Sequence, residues 1–197
     1  MRKSLVIVWL MALLVAIGFL FWYNEWQYKL PTPVPENYTP VATGEQINLP
    51  AGLVHDNQPV FLHFFNPVCP CSRFNFKHFR SLVKNYGEQV NFVMVVMSRN
   101  TYTADDIQRT YDITIPVYFD STIAVSCGVY STPQAVIVEN SGRLFYRGNY
   151  NSSRYCTDKK TEYARIALDA LLENKRNITF DQLALTAYGC RLPKCNK

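Results

Sequence analysis

The chain has 197 residues, 48% of them hydrophobic, with 13 Tyr and 12 Phe. That leaves room for a short membrane segment and one domain with an aromatic-rich core. The formal charge of +5 comes from scattered basic residues such as Lys77, Arg80, Lys84 and Arg165, with no basic run, which argues against a nucleic-acid partner.

Arg2 and Lys3 precede an uncharged run over residues 5–23. About 20 apolar residues cross a bilayer as a helix, and this run meets that length. It ends in Phe19, Leu20, Phe21, Trp22 and Tyr23 instead of the small residues that flank a cleaved signal. Trp22, Tyr23, Trp26 and Tyr28 suit an interfacial aromatic belt. Residues 1–4 therefore read as a cytoplasmic n-region and 5–23 as a transmembrane signal-anchor in the lipid bilayer, with a cleaved signal peptide as the alternative. The rest of the chain is expected outside the cytoplasm, where cysteines persist as disulfides. The six cysteines suit three bridges, but their count does not fix the pairing. Pro31, Pro33, Pro35 and Pro40 make residues 24–44 a stiff, extended linker, a spacer between anchor and domain.

Beyond the linker the pattern is α/β. Residues 60–65 form a short apolar run, a buried strand. Residues 72–86 read as a helix, with Phe76, Phe79, Leu82 and Val83 at helical spacing and Gly87 as a stop. Residues 90–97 give a second buried strand. Residues 103–111 give a short helix with a Thr cap and two aspartates in its first turn. Residues 117–119 suit a short strand and 134–139 a longer one. A turn at 140–142 leads to its hairpin partner at 143–147. Residues 157–172 read as a helix with Tyr163, Ile166, Ala167, Ala170 and Leu171 on its apolar side. This order predicts a mixed central sheet with helices on both faces.

The chemistry centres on Cys69-Pro70-Cys71, where the first strand gives way to a helix. A helix N-terminus offers free N–H groups and partial positive charge, which favour a thiolate, the reactive form of cysteine. A second thiol nearby resolves a mixed disulfide formed on the first.

Three features resemble the thioredoxin superfamily, most closely its membrane-anchored TlpA/ResA-like branch. The first is the apolar strand running into Cys69-Pro70-Cys71 and a helix. The second is Gly128-Val129-Tyr130-Ser131-Thr132-Pro133 followed by the strand Gln134-Ala135-Val136-Ile137-Val138. The third is Ser141-Gly142-Arg143-Leu144-Phe145-Tyr146-Arg147-Gly148, which is similar to the family's closing hairpin. The resemblance covers about residues 45–175 and leaves 176–197 as a cysteine-containing tail. It implies a thioredoxin-like fold and thiol–disulfide exchange on protein substrates, with a membrane redox partner possible and no cofactor. A bacterial inner-membrane protein facing the periplasm is the implied setting. It further implies that Pro133 is cis, sits against the cysteines, and presents the Thr132 backbone to a substrate strand.

The sequence departs from the family's Cys-x-x-Cys motif, because Ser72 stands at the second cysteine's place and Cys71 falls one residue early. Cys69 and Cys71 are read as the redox pair, with a one-cysteine site as the alternative. A ring closed across Cys-x-Cys is tight, which leans towards oxidase or isomerase character. His63 stands six residues before Cys69, where thioredoxins commonly hold a buried carboxylate that exchanges protons with the second cysteine. A histidine suits that role near neutral pH, and a core histidine with a satisfied hydrogen bond is the plainer reading. His55 and His78 read as surface residues. Cys127 reads as a buried, inert thiol or a residue near the site. Cys156, Cys190 and Cys195 read as structural, paired as Cys190–Cys195 or as Cys156 with a tail cysteine.

Other functions stay open. Soft thiolates suit copper(I) or zinc, and the superfamily includes copper-delivery members, but those use wider spacing and a distal histidine. A thiol peroxidase requires an activated cysteine in a Thr/Pro-lined pocket with an arginine, which Asn66-Pro67-Val68-Cys69 matches loosely. A binding module with purely structural cysteines is the non-enzymatic alternative.

Overall fold

The computed structural model of the protein describes residues 2–26, 30–53, 58–153, 155–175 and 178–192. The chain divides into two compact units, Met1–Pro31 and Thr32–Lys197. The first holds one helix, α1 (Arg2–Trp26). At 1.5 Å per residue it is about 37 Å long. Its segment Arg2–Asn24 has a mean hydropathy of 2.8 and is long and apolar enough to cross a membrane. Trp22 and Trp26 stack at 5.5 Å near its end. Tyr28, the last residue of the expected aromatic belt, lies outside the described residues.

The second unit is built on a five-stranded sheet ordered β3-β2-β1-β5-β6. Its strands are β1 (Val60–Phe65), β2 (Asn91–Val96), β3 (Val117–Tyr118), β5 (Gln134–Val138) and β6 (Leu144–Gly148). A separate pair joins β4 (Ser131–Thr132) to β7 (Cys190–Arg191). The helices are α2 (Pro70–Tyr86), α3 (Ala104–Tyr111), α4 (Thr122–Ser126), α5 (Tyr163–Leu172) and α6 (Gln182–Leu185). Strands β1, β2 and β3 run parallel, β5 runs antiparallel to β1, and β6 runs antiparallel to β5. The fold is thioredoxin-like, as expected.

All six residues of β1 are buried, because it is the central strand with both faces covered. The strand's two-residue period divides the core. Phe61 and Phe65 pack with Phe76, Phe79 and Leu82 of α2, Ile107 of α3, and Ala164, Ala167 and Leu168 of α5. Val60, Leu62 and Phe64 pack on the other face with Ile123 and Ala124 of α4, Cys127, Ile47 and Leu53.

Several boundaries differ from the sequence reading. The last long helix begins at Tyr163, not near 157. Cys156 has φ +54, a left-handed conformation that no α-helix accepts. Asp158 then caps a short turn at Lys159–Thr161 by accepting from the Lys160 N–H. The linker reading also needs refining, because from Thr32 onward the proline-rich segment belongs to the domain. Thr32 N–H donates to the Ala187 carbonyl at 2.8 Å, and the Tyr38 hydroxyl donates to the Gly128 carbonyl at 2.9 Å.

The described part of the tail packs onto the domain as well. Asn149 donates from Nδ2 to the carbonyls of Leu183 and Thr186, both at 2.6 Å, and from its N–H to Ala184 at 2.8 Å. Gly148 allows that approach, since a Cβ there would fall on the Ala184 carbonyl oxygen. Phe180 stacks at an angle on Tyr146, and Tyr163 donates to Asp181 at 2.8 Å.

Candidate active site around Cys69

Cys69 is the N-cap of α2, with extended φ −84 and ψ 122, and Pro70 follows at the first helical position. Proline suits that place because its missing N–H is one of those a helix leaves unpaired there. The turn into the helix is held by Asn66. Its side-chain oxygen accepts from the Val68 N–H at 3.1 Å, and its carbonyl accepts from the Cys69 N–H at 3.0 Å. Its own N–H donates to the Ser72 hydroxyl at 3.2 Å. Ser72, standing where the family has a second cysteine, is thus buried and engaged in shaping the loop.

The Thr132–Pro133 bond is cis, in agreement with the resemblance. The Thr132 carbonyl oxygen lies 3.8 Å from Cys69 Sγ. The chain's own tail also lies against Thr132. Strand β7 pairs antiparallel with β4, Cys190 opposite Thr132 and Arg191 opposite Ser131. The Leu192 N–H adds a bond to the Tyr130 carbonyl at 3.3 Å. Cys190 is bonded to Cys69 through a disulfide with a Cα–Cα distance of 6.3 Å, across 121 residues of sequence. That distance is inside the usual range for a bridge.

The bridge therefore joins Cys69 to Cys190, not to Cys71 as the sequence reading expected. Side chains two apart on a helix do not face each other, and Cys71 lies buried on the side of α2 shared by Asn75, one turn on. With no ring closed between Cys69 and Cys71, the expectation of oxidase or isomerase character from a tight ring loses its basis. The pairing rules out the expected bridges that use Cys190, to Cys195 or to Cys156. Cys195 lies outside the described residues. Cys156 is a thiol that donates to Asn75 Oδ1 at 3.0 Å. Burial, with the charge of Glu162, pushes it up to about 12. Cys127 sits in the core beneath α4, and burial likewise pushes it up to about 12.

His63 is fully buried, stacked on Phe79 at 4.0 Å and bounded by Phe65 and Phe76. Its Nδ1 shares a 2.6 Å hydrogen bond with the Tyr150 hydroxyl, and its Nε2 has no partner among the described residues. Desolvation lowers its pKa from 6.5 to about 3. The ring is neutral at neutral pH, which removes the titration that a proton carrier there requires. His78 is half-buried, not a surface residue, with its ring edge-on to Tyr150 at 6.0 Å. His55 lies outside the described residues. No three His, Cys, Asp or Glu side chains converge as a metal site among the described residues.

Sequence reasoning missed Cys190 as a site residue. The available signal was Gly189-Cys190. Gly189 has φ +141, and a Cβ there would fall on the Thr132 carbonyl oxygen. Glycine suits a place where two backbones meet this closely.

No curated protein matches the sequence. Solved structures do. A hypothetical protein SMc02350 from Sinorhizobium meliloti 1021 is 17% identical with a TM-score of 0.63, covering 79% of this chain and 96% of that one. An uncharacterized conserved protein from Geobacillus kaustophilus is 21% identical with a TM-score of 0.64, covering 83% and 97%. A putative thiol:disulfide interchange protein DsbE from Chlorobium tepidum is 17% identical with a TM-score of 0.47, covering 55% and 85%. The first two share the fold with this chain. Its residues 39–195 match a single family, and the chain belongs to it: Domain of unknown function (DUF6436).

Proposed function

We propose that the chain is a thiol–disulfide oxidoreductase for protein substrates, with Cys69 as the attacking sulfur. One observation carries this reading: a cysteine at the start of α2 is bonded by a disulfide to a strand that pairs with Thr132. A substrate thiol on a strand would need that same placement. The N–H groups of the first helical turn favour the thiolate that leaves when the bridge opens. Thr132 supplies backbone pairing, and Pro133 ends that pairing edge because it lacks an N–H. His63 acts as a neutral, packed residue beneath the site. In the unaltered full chain in detergent, reductant-driven reduction of insulin should exceed the uncatalysed rate. Cys69→Ser should return it to that rate, and full activity in Cys69→Ser would reject the function.

The anchor belongs to the same reading. α1 holds the protein in a bacterial inner membrane with Arg2 and Lys3 inside and the domain in the periplasm. Protease added outside spheroplasts should then digest the domain. Complete protection with intact spheroplasts would reject that orientation.

A further inference from the structure

Cys190 does more in this arrangement than staple a tail. Residues up to Gly189 are held by the domain. Asn149 grips the carbonyls of α6, and Thr32 bonds the Ala187 carbonyl through its N–H and the Gly189 carbonyl through its hydroxyl at 3.2 Å. Beyond that point the described chain is secured by a two-residue strand, one further backbone bond from Leu192, the packing of the Leu192 side chain against the core, and the disulfide. Cleaving the bridge leaves a short, weakly paired strand that carries a thiol and hangs from a fixed base. The last of these anchors, the Gly189 carbonyl, immediately precedes Cys190. Such a tether keeps the thiol at an effective concentration of about millimolar or more beside Cys69.

We propose that Cys190 is the resolving cysteine of this site, and that strand 189–192 occupies the substrate's place on Thr132 between turnovers. This rests on the exchange function proposed above. The order of events follows from competition for one strand edge. In the reduced protein, the Cys69 thiolate attacks one sulfur of a substrate disulfide. The Cys69–substrate S–S bond forms, the substrate's S–S bond breaks, and its other sulfur leaves as a thiolate that takes a proton. The substrate strand then lies on Thr132 and the tail is displaced. The Cys190 thiolate next attacks Cys69 Sγ. The Cys69–Cys190 bond forms, the mixed disulfide breaks, and the substrate's second sulfur leaves and is protonated as the tail retakes its edge. The substrate gains two electrons, which a dithiol donor restores to Cys69 and Cys190. The same steps run backwards when the substrate is a dithiol.

The test uses the reduced full chain in detergent with insulin as the disulfide probe. Reactions are quenched with acid, alkylated and mapped by mass spectrometry. Cys190→Ser should accumulate insulin bonded to Cys69, with an adduct lifetime about tenfold or more above that of the unaltered chain. Cys71→Ser should not accumulate it. Gly189→Val, which keeps the Cys190 thiol but drives a side chain into the Thr132 carbonyl, should also prolong the adduct. That variant separates strand docking from loss of the sulfur or of the fold. If Cys71→Ser traps the adduct while Cys190→Ser clears it, or if Gly189→Val clears it as fast as the unaltered chain, the inference is wrong and exchange at Cys69 still stands. If no adduct forms on Cys69 in any variant, the exchange function itself fails.

Discussion

Cys69 and His63 lie six residues apart, yet opposite environments govern them. Cys69, itself buried, sits where a helix begins, a place that leaves backbone N–H groups without intrahelical partners. His63 sits where strand β1 is most deeply covered, and water is excluded from its ring. The unfolded chain binds a proton at His63 below about pH 6.5, whereas the folded chain does so only at about 3. The depressed value means that acid favours the unfolded state. Across that window His63 should lower stability by about 1.4 kcal/mol per pH unit. His63→Phe keeps the stacking on Phe79 but strips the Tyr150 hydroxyl of its partner, at a cost of about 1–3 kcal/mol near neutral pH. Urea midpoints of the variant should fall less steeply between pH 6.5 and 4.5 than those of the unaltered chain. An unchanged slope would show that His63 is not the residue responsible.

At the scale of elements, the long apolar patterns were readable and the short polar ones were not. β1 is a continuous apolar run and α2 carries a helical period, so their residues predict them nearly to the boundary. The capping box of α3 is local chemistry, with Thr103 and Asp106 bonding each other's backbone N–H, and is visible in sequence for that reason. The helices α4 and α6 have five and four residues, too few to show a period. α6 is placed by tertiary contacts: Asn149, 34 residues before Leu183, binds the carbonyls that the short helix leaves open. Asn149→Ala should therefore raise amide exchange in 182–191 while β1 and β5 keep their protection, at a cost of about 1–3 kcal/mol. Equal loosening of the central strands would contradict that local role. The pairing of β7 with β4 escaped for the same reason: two residues carry no pattern, and Thr132 and Cys190 lie far apart in sequence.

Over the whole molecule, the fold and the place of Cys69 at the start of α2 were legible, and the identity of the bridge was not. A motif reports neighbours in sequence, and Cys71 was the neighbour. The disulfide instead closes 121 residues, bringing the end of the domain back to its first helix. On chain-entropy grounds a loop of that size restricts the unfolded chain by roughly 4–5 kcal/mol. In the proposed cycle, opening the bridge therefore also removes this stabilisation of the fold. The most direct measurement is a redox titration of the full chain in detergent, read by differential alkylation of each cysteine. Cys69 and Cys190 should convert together between bridge and thiols, with a midpoint between about −120 and −270 mV, the range of exchange-active members of this fold. Cys127 and Cys156, held protonated by burial, should react slowly and without change across the series. A Cys69–Cys190 bridge that stays closed below about −300 mV, as structural disulfides do, would contradict the account.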